Sequence, residues 1–197
     1  QRVRLMPTCE AVSIGEDGFD TMRTLAPPTA RGWEAVTDDG IWNWTEELAQ
    51  LPVLLAEKMK APGVTAGPTD LVIDPSNLWL TIHESIGHAT EYDRAIGYEA
   101  AYAGTSFATP DKLGSMRYGS PVMTVTADRT EEFGLATVGY DDEGVAAQRW
   151  DLVRDGIFVG YQLDRVFAPR LGRDRSNGCS YADSPHHVPI QRMANVS

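Results

Sequence analysis

The residues of this chain best suited to chemistry are His83-Glu84-Ser85-Ile86-Gly87-His88. Neutral imidazole is the commonest protein ligand for catalytic zinc. A carboxylate beside such a metal can take a proton from water and return it to a leaving group. In the common zinc peptidase motif, HExxH, the histidines stand at i and i+4 on one helical face. Here they stand at i and i+5. An α-helix turns about 100° per residue, so five steps set the two imidazoles roughly 140° apart. That is too far to share one ion easily. Two readings follow. Either two helical histidines face different ways by coincidence, or the helix widens into a π-bulge that brings i and i+5 nearly into line. Such bulges are rare and concentrate at functional sites. Gly87 weakens a helix and fits a strained or ending turn beside His88.

Other candidates are weaker. Glu91 and Asp93 follow His88 by three and five residues. They can orient a histidine N–H from behind, or stand solvated at a helix end. His186-His187 lies between Pro185 and Pro189 and reads as a solvated or substrate-lining loop. Cys9 and Cys179 read as small buried side chains rather than ligands or nucleophiles. No GxSxG elbow supports a serine hydrolase. Trp42 and Trp44 read as packing.

The elements around the motif follow from local chemistry. Asp70-Leu71-Val72-Ile73-Asp74 reads as a short strand. Pro75-Ser76-Asn77 then starts a helix, with Ser76 as its cap. Leu78, Trp79, Ile82 and Ile86 recur at near-helical spacing and should form a core stripe. Upstream, residues 1–15 alternate weakly like strand pieces. Residues 16–42, with Pro27-Pro28 and Asp38-Asp39-Gly40, read as a long loop. Asn43-Trp44-Thr45-Glu46 resembles a capping box, and a helix follows to about Lys60 with a kink or restart at Pro52. Residues 61–69 are the best boundary candidate, so the division is 1–66 and 67–197. Downstream, Val122–Thr126 and Gly134–Tyr140 read as strands. Trp150–Tyr161 reads as a hairpin turning at Asp155-Gly156. Asp164–Leu171 reads as a short helix, and no period is clear after Asn177. The expected class is α+β, a mixed or antiparallel sheet with a buried helix carrying HExxxH.

Composition narrows the function. The chain has 197 residues, 42% hydrophobic and 23% charged, as in soluble globular proteins. A net charge of −11 argues against a nucleic-acid surface. The short basic cluster from Arg170 to Arg175 contains Asp174 and reads as a solvated loop. No apolar run reaches the roughly 20 residues of a membrane span. Two cysteines far apart do not make a disulfide scaffold, and a reducing cytoplasm is expected. Gln1 rather than Met opens the sequence, so the natural start is expected to lie upstream.

The run from His83 to Asp93 resembles the HExxxH segment of the TldD branch of the TldD/PmbA metallopeptidases. The likeness continues in order through Gly139-Tyr140-Asp141-Asp142-Glu143-Gly144-Val145, Arg154-Asp155-Gly156-Ile157, Gly160-Tyr161, Ser180-Tyr181-Ala182 and Arg192-Met193-Ala194-Asn195. It covers Thr69 to Ser197 well and residues 1–60 loosely. The resemblance implies a zinc peptidase with His83 and His88 as ligands and Glu84 as general base. It implies a third ligand, a cysteine farther along the chain than the match extends. Cys179 does not fall there, so the chain is expected to be a fragment with an incomplete metal site. The implied substrates are small or unfolded peptides and peptide precursors, held along a sheet edge. The implied partner is a TldE/PmbA-like subunit lacking HExxxH. The alternative is a non-catalytic peptide-binding or assembly subunit.

Overall fold

The computed structural model describes residues 2–16, 18–37 and 40–197. Asp38 and Asp39 of the expected loop lie outside the described residues. The chain separates into two compact units, Gln1–Ser76 and Asn77–Ser197.

In the first unit β1 (Glu10–Gly15) and β2 (Gly18–Arg23) form an antiparallel hairpin, with Glu10 opposite Arg23 and Ile14 opposite Phe19. The second strand corrects the reading of residues 16–42 as loop throughout. Its residues have no strong strand pattern of their own, and β1 supplies the hydrogen-bond partners. Helix α1 (Trp44–Lys58) begins as expected, with Asn43 Oδ1 accepting from the Glu46 N–H at 3.0 Å. The box is half made, because the Glu46 carboxylate takes Gln50 Nε2 instead. The helix does not restart at Pro52 but runs unbroken to Lys58. Leu51 and Leu55, one turn apart, are buried and hold that stretch in place. Lys58 Nζ ties the helix to Asp20 Oδ1 at 2.7 Å. Trp44 packs edge-to-face on Trp33 at 5.6 Å, while Trp42 Nε1 donates to Glu47.

Residues 70–74 are not a strand, and Leu71, Val72 and Ile73 are exposed. An apolar run becomes a strand only when another strand accepts its ladder, and none among the described residues does so. Helix α2 (Pro75–Ile82) follows, capped by Asp74 rather than Ser76: Asp74 Oδ1 accepts the Ser76 N–H at 2.9 Å. The apolar stripe is core only at its far end. Ile86 is buried, Leu78 and Ile82 are half-buried, and Trp79 is exposed.

The second unit is built on a four-stranded antiparallel sheet ordered β5-β4-β3-β8. Its strands are β3 (Val125–Asp128), β4 (Arg149–Arg154), β5 (Ile157–Phe158) and β8 (Asn195–Val196). A small hairpin pairs β6 (Ser180–Tyr181) with β7 (Ile190–Gln191). The class is therefore α+β with antiparallel sheets. The β4–β5 turn falls at Asp155-Gly156, both at positive φ (50° and 78°), as the pair's chemistry dictates. Residues 134–140 are not a strand. Asn195 replaces the missing ladder, accepting the Ala136 N–H at 2.8 Å and donating to the Asp128 carbonyl at 2.8 Å. Residues 169–171 make a single 3₁₀ turn, shorter than the helix expected over 164–171. Arg170 and Arg173–Arg175 are exposed, as a solvated loop requires.

Two apolar clusters form the core of this unit. One joins Ile86 to Val125, Ala127, Leu152 and Val153 on the sheet and to Ala194 just before β8. The other gathers Tyr92, Phe158, Tyr161, Leu163 and Phe167, with Tyr161 and Phe158 stacked edge-to-face at 4.8 Å. Residues 83–92 run between the two.

Candidate metal centre

The helix changes pitch at the motif. Residues His83–Gly87 form a π-turn, closed by the His88 N–H donating to the carbonyl of His83, five residues back. A short 3₁₀ turn (His88–Thr90) follows, then the four-residue α3 (Tyr92–Ala95). The structure thus bears out the wide turn that the i, i+5 spacing requires. Gly87 is buried at its end, where a Cβ would come within 2.7 Å of Met193 Sδ.

Buried carbonyls need partners, and three side chains donate to carbonyls of the wide turn, two of them on the buried residues Ile86 and Gly87. The Tyr118 hydroxyl donates to Ser85 O, Thr90 Oγ1 to Ile86 O at 2.8 Å, and Gln162 Nε2 to Gly87 O at 2.6 Å. Gln162 also accepts the Ala194 N–H at 2.7 Å, which locks its amide.

The pitch change brings the imidazoles together. The His83 and His88 rings lie 4.5 Å apart, centroid to centroid, and perpendicular. One donor atom each from His83, Glu84 and His88 falls within 4.8 Å of the others. Two bonds of about 2.1 Å in tetrahedral geometry separate ligand atoms by roughly 3.4 Å, so rotations of these side chains suffice to close on an ion. His83 and Glu84 face solvent, with side chains 41% and 61% exposed, so an ion and a substrate can reach them. Two imidazoles and a carboxylate suit a borderline metal such as zinc.

Of the two acidic residues that follow, one reaches a histidine. Glu91 Oε2 lies 2.8 Å from His88 Nδ1, and Glu91 is fully buried. A proton on Nδ1 would satisfy that contact and leave Nε2 as the ring nitrogen available to an ion. Arg94 Nη2 also lies 3.2 Å from Nδ1. The same Nη2 forms an ion pair with Glu91 Oε2 at 3.3 Å. Asp93 points elsewhere, its Oδ1 accepting from the Arg94 N–H at 2.7 Å and from Gln191 Nε2 at 3.1 Å. Burial first, and then the charges of Glu99, Glu91 and Asp164, push its carboxyl up to about 7.

The remaining candidates lie outside the cluster. Cys179 is fully buried, and burial pushes its thiol up to about 12, so it carries no thiolate for a metal or an electrophile. His187 is exposed and pairs with Asp183 at 2.6 Å. Reading along the chain did not find Arg94, Glu99 or Arg192 behind the site. Only the i, i+3 and i, i+6 offsets of Glu91 and Arg94 from His88 could have hinted at them.

Comparison with known proteins follows the same residues. Residues 66–197 match the PmbA/TldA metallopeptidase C-terminal domain. A metalloprotease of Methanocaldococcus jannaschii is 32% identical over 143 residues, covering 70% of this chain and 28% of that protein. A zinc metalloprotease TldD homolog of Saccharolobus solfataricus is 24% identical over 157 residues, 79% of this chain and 33% of its own length. This chain thus spans about a third or less of these relatives. A crystal structure from Bacteroides thetaiotaomicron, described as a proposed modulator of DNA gyrase, shares the fold with a TM-score of 0.52 at 21% identity, covering 66% of this chain and 28% of that one. Among the described residues no helix is long and apolar enough to cross a membrane.

Proposed function

This chain belongs to the PmbA/TldA metallopeptidase family, and we propose that it carries the metal-binding and proton-transferring part of a zinc peptidase site. The observation that carries this reading is the π-turn, which sets His83 and His88 side by side with Glu84 between them in sequence. His83 and His88 would hold the ion. When bound, zinc supplies Lewis acidity toward water and the scissile carbonyl. The Glu84 carboxylate takes a proton from the attacking water and delivers it to the leaving amine. Glu91 holds His88 with Nε2 outward. Catalytic zinc usually has three protein ligands, so one comes from outside this pair. Exposure of His83 and Glu84 suits an extended, unfolded peptide better than a small buried substrate. Small or unfolded peptides and peptide precursors are therefore the proposed substrates. A TldE/PmbA-like subunit is the proposed partner, the cytoplasm the proposed location, and residues 67–197 the proposed first part of the metallopeptidase domain.

A second reading has one observation in its favour. A Glu84 carboxylate oxygen lies within 4.8 Å of a nitrogen of each imidazole, so side-chain rotation could bring it onto the same ion. If it completes the metal shell it cannot act as the base, and the chain becomes a peptide-binding or assembly subunit. The variant Glu84→Gln separates the two. Loss of peptide cleavage by about 10²- to 10⁴-fold with zinc retained supports the general base. Loss of zinc, by elemental analysis, supports the ligand. A His83→Ala, His88→Ala double variant that keeps a full equivalent of zinc refutes both.

A further inference from the structure

Behind His88 the structure places an alternating row of charges, two buried carboxylates and two part-buried guanidiniums. Glu91 Oε2 meets His88 Nδ1 at 2.8 Å and Arg94 Nη2 at 3.3 Å. The same Nη2 lies 3.6 Å from Glu99 Oε2, and Glu99 Oε1 meets Arg192 Nη1 at 3.1 Å. Arg94 Nη1 donates to the carbonyl of Ala103 at 3.0 Å. Arg192 Nη1 also donates to its neighbour's carbonyl, Gln191 O, at 2.9 Å. Buried charges are costly unless paired, and here two guanidiniums face two carboxylates. The row crosses from residue 88 to residue 192, so it ties the motif to the far end of the unit.

We propose that Arg94 is a positioning residue for the metal centre, fixing the Glu91 carboxylate so that His88 keeps its proton on Nδ1 and turns Nε2 outward. The metal-related part rests on the reading of His88 as a ligand. The argument is geometric. A carboxylate bonded to one imidazole alone can rotate, and the ring can rotate with it. Arg94 removes that freedom because its planar fork is itself held: Nη1 donates to a backbone carbonyl, and Nη2 sits at His88 Nδ1 within ion-pair distance of two carboxylates. A lysine has one nitrogen and cannot hold both. Glu99 and Arg192 hold the fork in turn. Among the described residues Glu91 is the carboxylate at His88 Nδ1, and Arg94 Nη2 stands beside both, 3.2 Å from Nδ1 and 3.3 Å from Glu91 Oε2.

The test compares Arg94→Met and Arg94→Lys with wild type in the full chain. Side-chain ¹H–¹⁵N correlation of the metal-free protein at pH 8.5 reads the His88 tautomer. Wild type is expected almost wholly as Nδ1–H. Arg94→Met is expected to relax to a mixture, with Arg94→Lys between them. Zinc affinity, by competition with a chromophoric chelator, is expected to fall about 10- to 100-fold in Arg94→Met and less in Arg94→Lys. Thermal melting confirms that the variants are folded. A folded Arg94→Met with the wild-type tautomer overturns the proposal, as does unchanged affinity in a protein whose wild type binds zinc. If Arg94→Met does not fold, Arg94→Lys decides: a shifted tautomer supports the fork, and a wild-type spectrum overturns it. A wild type that binds no zinc defeats the proposed function alone, since the tautomer still judges Arg94.

Discussion

Asp93 is the carboxyl left over when the buried charges behind the motif are paired. Arg94 and Arg192 face Glu91 and Glu99. Asp93 is 1% exposed, and its Oδ2 has no hydrogen-bond partner among the described residues. Burial and the neighbouring carboxylates lift it from 3.8 to about 7. In the folded protein it therefore keeps its proton across a range in which the unfolded chain has lost it. The stability this contributes is complete below about pH 4 and is lost as pH rises through about 7. The substitution Asp93→Asn imitates the protonated form and has no proton to lose. Each pH unit inside the window is worth about 1.4 kcal/mol, so the variant should gain about 2 kcal/mol on wild type between pH 5.5 and pH 8. Urea unfolding of both proteins at each pH gives the difference, in which other titrating groups cancel. Carboxyl ¹³C shifts should place the Asp93 midpoint near 7 directly. A midpoint in the ordinary aspartate range, or a difference that does not change with pH, refutes the charge pairing described here.

Two predictions concern the elements around the site, beside those for Glu84 and Arg94. Gly156→Ala should cost at least about 3 kcal/mol and shift the denaturation midpoint accordingly, because φ is +78° and a Cβ would lie 2.6 Å from the backbone carbonyls of Gly119 and Ser120. Asn43→Ala should cost about 1 kcal/mol and expose the Glu46 amide to hydrogen exchange, while Asn43→Asp should lose little.

What could be read from sequence was what local chemistry decides. The Asp155-Gly156 turn needs only two residues that tolerate positive φ. The Asn43 cap needs only a side-chain oxygen three residues before an open N–H. The π-turn is legible because five steps of 100° leave two histidines out of line unless the helix widens. What failed was what depends on a partner. Strand β2 lies in a stretch with weak strand character and forms because β1 pairs with it. Leu71-Val72-Ile73 has strand character and forms none. The segment 134–140 is organised by Asn195, 58 residues beyond Thr137. Glu91 was within reach of inference from its offset to His88, but Glu99 and Arg192 meet only in the folded chain.

The i, i+5 spacing and the distant residues explain one another. A buried carbonyl without a donor costs about 1–3 kcal/mol, and the carbonyls of the two buried residues of the π-turn, Ile86 and Gly87, each take a side-chain donor. Thr90 supplies one from the next turn and Gln162 the other from elsewhere in the unit, while Tyr118 donates to the exposed Ser85 carbonyl. Gln162 can do so only because its own Oε1 is held by the Ala194 N–H, next to β8. An HExxH helix would place its histidines together with no such support. Here their proximity is imposed by the sheet and its flanking loops, and Glu91 and Arg94 then fix the ring of the second. The geometry of the histidine pair is thus as strong as the tertiary contacts of residues 118, 162 and 194, and a change at any of them acts on the centre without touching it.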